Sequence, residues 1–165
     1  MRGARDSRAR REPDNTQGTP SFLESQLHDY ERAVAERPDD APALVQLANA
    51  YWMTGRGPEM VHDLASRAIA ADPGNRGAWH LWAISESSPR ERVSRWRQVV
   101  DRFPADQLAR ASLADNAASL AGAEMDADAL ELAIATYEQL LACAATDEQR
   151  ASVGRALEIL KGWNV

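Results

Sequence analysis

Apolar residues recur three and four positions apart along this chain, in stretches separated by short segments rich in proline, glycine, aspartate and asparagine. That spacing is helical, and no stretch alternates as a strand would. The first helix is expected from Ser21, where Ser21-Phe22-Leu23-Glu24 has the form of a capping box, to about Arg37. It would bury Phe22, Leu23, Leu27, Tyr30, Ala33 and Val34. A second is predicted over 41–54, closed by Gly55, and a third over 58–72 opening on Pro58, with Met60, Val61, Leu64, Ala65 and Ala68 inward. A short fourth covers 76–86. Ser88-Pro89-Arg90-Glu91 then restarts the helix that runs to Phe103 and buries Val93, Trp96, Val99 and Val100. Residues 107–121, 128–144 and 146–161 complete the count. The seventh turns Leu130, Ala133, Ile134, Tyr137, Leu140 and Leu141 inward, the eighth Val153, Ala156, Leu157 and Leu160, with Trp163 filling the last gap.

Three helix junctions use nearly the same phrase: Ala33 to Ala48, Ala68 to Ala83 and Val99 to Ala114. Counting from Pro38, Pro73 and Pro104, a cap residue (Asp40, Asn75, Asp106) falls two positions on, and a bulky residue followed by alanine (Leu47-Ala48, Trp82-Ala83, Leu113-Ala114) falls nine and ten on. Proline ends each helix because it lacks an amide hydrogen and crowds the residue before it. The cap side chain then accepts from the free amides of the next helix. The prolines lie 35 and 31 residues apart, a period that marks stacked helix pairs.

The phrase resembles the tetratricopeptide repeat. Leu44, Leu47, Ala48, Tyr51, Ala68 and Pro73 fall in that family's places in a first copy, about 41–75. Trp79, Trp82, Ala83, Trp96 and Pro104 do so in a second, about 76–106, where Glu86 replaces the tyrosine. A third, about 107–145, keeps Leu113, Ala114, Ala133 and Tyr137 but has no closing proline. The resemblance implies an all-α solenoid, a right-handed superhelix of about three degenerate helix pairs with flanking capping helices. It also implies a concave groove lined by the first helix of each pair. The groove positions it marks are Val45, Gln46, Asn49, Trp52 and Met53, then His80, Leu81 and Ile84, then Ser112, Asp115 and Ser119. Asn49 matches an asparagine that many members use on a peptide backbone or terminal carboxylate, but Val45 stands where the clamp lysine would be. An acidic tail is therefore not the expected ligand.

Composition narrows the classes. The 165 residues suffice for one domain with a substantial core. One cysteine, Cys143, excludes an internal disulfide and fits a reducing, cytoplasmic setting. On an apolar helix it reads as a buried thiol. No apolar run is long enough for a membrane span. Residues 1–20 hold five arginines and little to bury, and are expected to be a disordered tail. The net charge of −6 leaves the remainder acidic, which disfavours nucleic acid as a partner.

The chemistry-bearing residues are sparse. His28, His62 and His80 fall in three different helices with no metal spacing, and no glycine-rich loop follows a strand. No catalytic set, metal site or cofactor is expected. Trp79, Trp82 and Trp96 occupy repeat positions and read as core, whereas Trp52 could face either core or groove. Arg92, Arg95 and Arg102 share a helix face, flanked by Arg90 and Arg97. They form either a candidate basic patch or a solvated face of i,i+4 pairs. Set against Asp115, Glu124, Asp126, Asp128, Glu131 and Glu138, they also allow head-to-tail self-association. The function expected is a non-enzymatic adaptor or scaffold that binds a peptide or helix of a partner protein. The alternatives are a small chaperone for a disordered or secreted client, and nucleic-acid binding through the tail and the 90–102 face.

Overall fold

The computed structural model describes residues 22–164. The arginine-rich tail, the Ser21 cap and the side chains of Phe22 and Leu23 lie outside the described residues. Eight helices follow one another: α1 (Phe22–Glu36), α2 (Ala41–Thr54), α3 (Pro58–Ala71), α4 (Arg76–Ile84), α5 (Pro89–Arg102), α6 (Gln107–Glu124), α7 (Ala127–Ala142) and α8 (Asp147–Lys161). Among the described residues there is no strand. Each helix packs chiefly against its neighbours in sequence, and α2 also touches α4. This is the one-dimensional stacking of a solenoid.

The junctions follow local chemistry. The Asn75 side chain accepts from the Ala78 amide, and the Asp106 side chain accepts from the Leu108 and Ala109 amides. Asp40 departs from expectation, because its carboxylate is drawn to Arg37, at 2.6 Å, and makes no cap bond. At the α5 start, Ser88 accepts from the Glu91 amide, but the reciprocal bond comes from Glu86, whose carboxylate accepts from the Ser88 amide at 2.9 Å. Thr146 and Gln149 close a full capping box at α8. Gly55 ends α2 with φ 68°, a left-handed conformation glycine adopts without penalty.

Two clusters make up the core. One joins α1–α4 around Leu44, Val61, Ala65 and Ala68, and the other joins α4–α8 around Trp96, Val99, Leu113 and Leu120. Trp82 packs against both. Alanines at Ala48, Ala83, Ala114 and Ala133 are fully buried, so the backbones of paired helices approach closely.

Three expectations fail for packing reasons. Met60 is 46% exposed, because the inward stripe of α3 is carried by Val61, Leu64, Ala65 and Ala68. Cys143 is exposed rather than buried, since α7 ends at Ala142 and its cap residue lies beyond the packed turns. Gly122 does not end α6. The helix continues two residues further, and the Trp163 ring lies against the space a Cβ at Gly122 would fill.

Candidate functional site

The third copy carries a sizeable hollow. Helices α6 and α8 stand apart, and the space between them is a hollow of about 550 Å³ with α7 along its side. Leu108, Ala111 and Asp115 come from α6, Tyr137, Leu140 and Cys143 from α7 and its end, and Gln149, Ser152, Val153 and Ala156 from α8. Leu108 is 64% exposed. The walls are mainly apolar because α6 and α8 turn their alanine-rich and leucine-rich stripes to α7 and leave the edges of those stripes uncovered.

One end of the hollow is polar. The Tyr137 hydroxyl donates to the Asp115 carboxylate. Burial, and then the neighbouring Asp115 charge, push the phenol well above the usual tyrosine range, so it stays a neutral donor. Two glutamines flank the hollow with their oxygens already engaged. Gln149 Oε1 accepts from the Ala145 and Thr146 amides at 3.1 and 3.3 Å, and Gln107 Oε1 accepts from Arg110 at 3.1 Å. Those donors fix the amide orientation, so each NH₂ end remains a donor.

The groove positions implied by the repeat resemblance fall beside different hollows. Asp115 alone of the expected set lines the large hollow. Gln46, Asn49 and Met53 line a smaller one, about 330 Å³, against Gln26, Leu27 and Tyr30 of α1. Trp52, 41% exposed, faces a third beside Tyr51, Gly55 and Pro58. Val45 packs against the first core, and Leu81 is buried. Ile84 packs on the second core, the Ser112 carbonyl accepts from Asn116, and the Ser119 hydroxyl donates to the Asp115 carbonyl. His80 is committed to structure: its Nε2 lies 2.6 Å from Asp106 Oδ2, and its ring meets Trp96 edge-on.

Four of the five arginines at 90–102 are likewise in use, neither as a free patch nor as i,i+4 pairs. Arg92 donates to Asn116 Oδ1 at 2.8 Å and to the Glu86 carbonyl at 2.9 Å. Arg95 pairs with Glu86 at 2.5 Å, donates to His62 Nδ1 and the Trp82 carbonyl, and stacks on the Trp82 ring. Arg102 donates to the Pro73 carbonyl beside Trp79, and Arg90 holds Glu124 and Asp126. They tie consecutive helices together.

Sequence reasoning missed Gln149 and Ser152, because α8 reads as a cap in the pattern rather than as a groove wall, and it missed Leu108 because that residue lies in the first turn of α6, ahead of the matched positions. The spacing of Thr146 from Ala144 was the available signal. It repeats the cap-after-proline step and marks α8 as another first helix.

Among the described residues no group of three or more His, Cys, Asp or Glu could hold a metal ion, and no helix is long and apolar enough to cross a membrane. No protein-family model and no curated protein matches the chain. Among solved structures it is similar to the crystal structure of MamA, with a TM-score of 0.57 at 11% identity over 84% of this chain and 86% of that one. A second MamA structure gives 0.56 at 11% identity, over 84% and 80%. At that identity the likeness concerns the fold, and the fold is a tetratricopeptide-like α-solenoid.

Proposed function

We propose that this chain is a non-catalytic interaction module that holds a segment of a partner protein in the hollow between α6 and α8. The observation that carries this reading is the hollow itself: an open, mainly apolar trough with a single charged end. A trough of that size and lining is characteristic of a binding site. A chaperone for a disordered client would use the same surface. The internal engagement of Arg92, Arg95 and Arg102 argues against nucleic acid at that face. An exposed thiol at Cys143 fits a reducing compartment such as the cytoplasm.

Site-directed photocrosslinking in the native host tests the proposal. A crosslinking residue at Ser152, inside the hollow, is expected to trap a protein that the same residue at Glu91, on the outer face of α5, does not. Equal capture at both positions, or none at Ser152, would sink the reading.

A further inference from the structure

We infer that the segment taken by the α6–α8 hollow is extended and apolar, and carries one lysine or arginine whose cation sits against Asp115. The inference rests on the reading of the hollow as a peptide site and adds the chemistry of the partner. Among the described residues Asp115 is the only formally charged side chain lining the hollow. Tyr137 satisfies one of its oxygens with a neutral hydroxyl, and among the described residues no lysine or arginine forms an ion pair with it. A carboxylate has acceptor capacity for several donors, so the Asp115–Tyr137 end is built to receive a positive group.

The backbone of the occupant follows from the glutamines. Gln107 and Gln149 each present an NH₂ donor at the rim, their oxygens being occupied. The matching group is a free backbone carbonyl, which an extended chain offers and a helix keeps for itself. The α6 wall from Leu108 to Asp115 covers about 10 Å at roughly 1.5 Å per residue. An extended chain rises about 3.3 Å per residue and places side chains two apart on one face. An apolar residue seated by Leu108 and Val153, followed two positions on by a long basic side chain, brings the cation to Asp115. The motif expected is apolar, any residue, then lysine or arginine.

The experiment is selection of short random displayed peptides against the full chain, with alkylation of Cys143 by iodoacetamide as the reporter of occupancy. Cys143 is the single thiol and lines the hollow, so a peptide seated there protects it. The expected binders protect Cys143 and share the apolar-x-basic motif. Asp115→Asn, which keeps an acceptor for Tyr137, should weaken them about tenfold, as loss of one charge-assisted bond does. A peptide with norleucine in place of the basic residue should bind wild type and Asp115→Asn alike. Tyr137→Phe, which leaves the carboxylate, should retain the preference for a cation. Protecting binders with no basic residue, or an unchanged affinity at Asp115→Asn, would overturn the inference while leaving the peptide site standing. Failure of any selected peptide to protect Cys143 would remove both.

Discussion

Single side chains at the helix junctions do more than their place in the sequence suggests. Arg95 and Glu86 have side chains only 18% and 16% exposed, and Arg95 reaches α3, α4 and the turn before its own helix at once. Removing one partner of such a pair strands the other charge. Arg95→Met is therefore expected to cost about 3 kcal/mol in urea denaturation, and Arg95→Met with Glu86→Gln to cost less than Arg95→Met alone. An equal or larger loss in the double variant would show that packing, not charge, holds the joint. Acid stability comes from the same junctions. At Asp106 burial alone would raise the carboxyl pKa, but the Ala109 amide, His80 and Arg76 outweigh it and hold it below the usual range. The Ser88 amide and Arg95 do likewise for Glu86, and the Ala129 amide and Arg90 for Asp126. Groups with depressed folded-state values stabilise above the ordinary carboxylate range of about 4 and lose that contribution as pH falls through their folded values. Melting temperature should thus drop below about pH 4, and Asp106→Asn should make the acid limb shallower. An unchanged limb would place the acid-sensitive groups elsewhere. A helical pattern lets one place these residues on helices. It cannot show that Arg95 and Glu86 meet, because the eight residues of turn and helix between them must first be folded.

At the scale of elements, unequal repeat lengths have one origin. The first helices have 14, 9 and 18 residues in α2, α4 and α6, whereas the second helices have 14, 14 and 16 in α3, α5 and α7. Variation is thus absorbed mostly by the first helix of each pair. A hydrogen-bond pattern that hydrophobic spacing does not reveal also marks the register. The carbonyls of Pro73, Pro104 and Ala144 each accept from the side chain six residues on, Trp79, Arg110 and Arg150, and those of Pro38 and Pro73 accept from Arg67 and Arg102, each twenty-nine on. Ala144 therefore stands where the missing proline would, which aligns the third copy. The end of α6 places a non-glycine residue in the left-handed region. Met125 adopts φ 54° with its side chain 63% exposed, a conformation that costs roughly 1–2 kcal/mol outside glycine. Met125→Gly should raise stability by about 0.5–1 kcal/mol after the entropy glycine loses on folding, seen as a higher melting temperature. A lower one would mean that Met125 makes contacts worth more than the strain.

For the whole molecule, the two cores share one residue. Trp82 packs on both, and Arg95 lies 4.6 Å from its ring centroid. In a linear array such an interface couples neighbouring units. Trp82→Ala should therefore separate the hydrogen-exchange protection of α1–α3 from that of α5–α8. Uniform exchange across both halves would assign the coupling to other contacts. The chain by itself determined the helices, their order and the repeat, because periodicity, prolines and caps act over a few residues. Val61, Trp96 and Val99 were legible as core on the same ground. Tertiary structure alone decided which surfaces stay open. His80 was withdrawn by Asp106 and the arginine face by Glu86, Asn116 and Pro73, while Leu108, Asp115 and Gln149 were brought round one hollow. Those assignments depend on the splay of α6 from α8, a sum of packing contacts between segments more than thirty residues apart that no local pattern encodes.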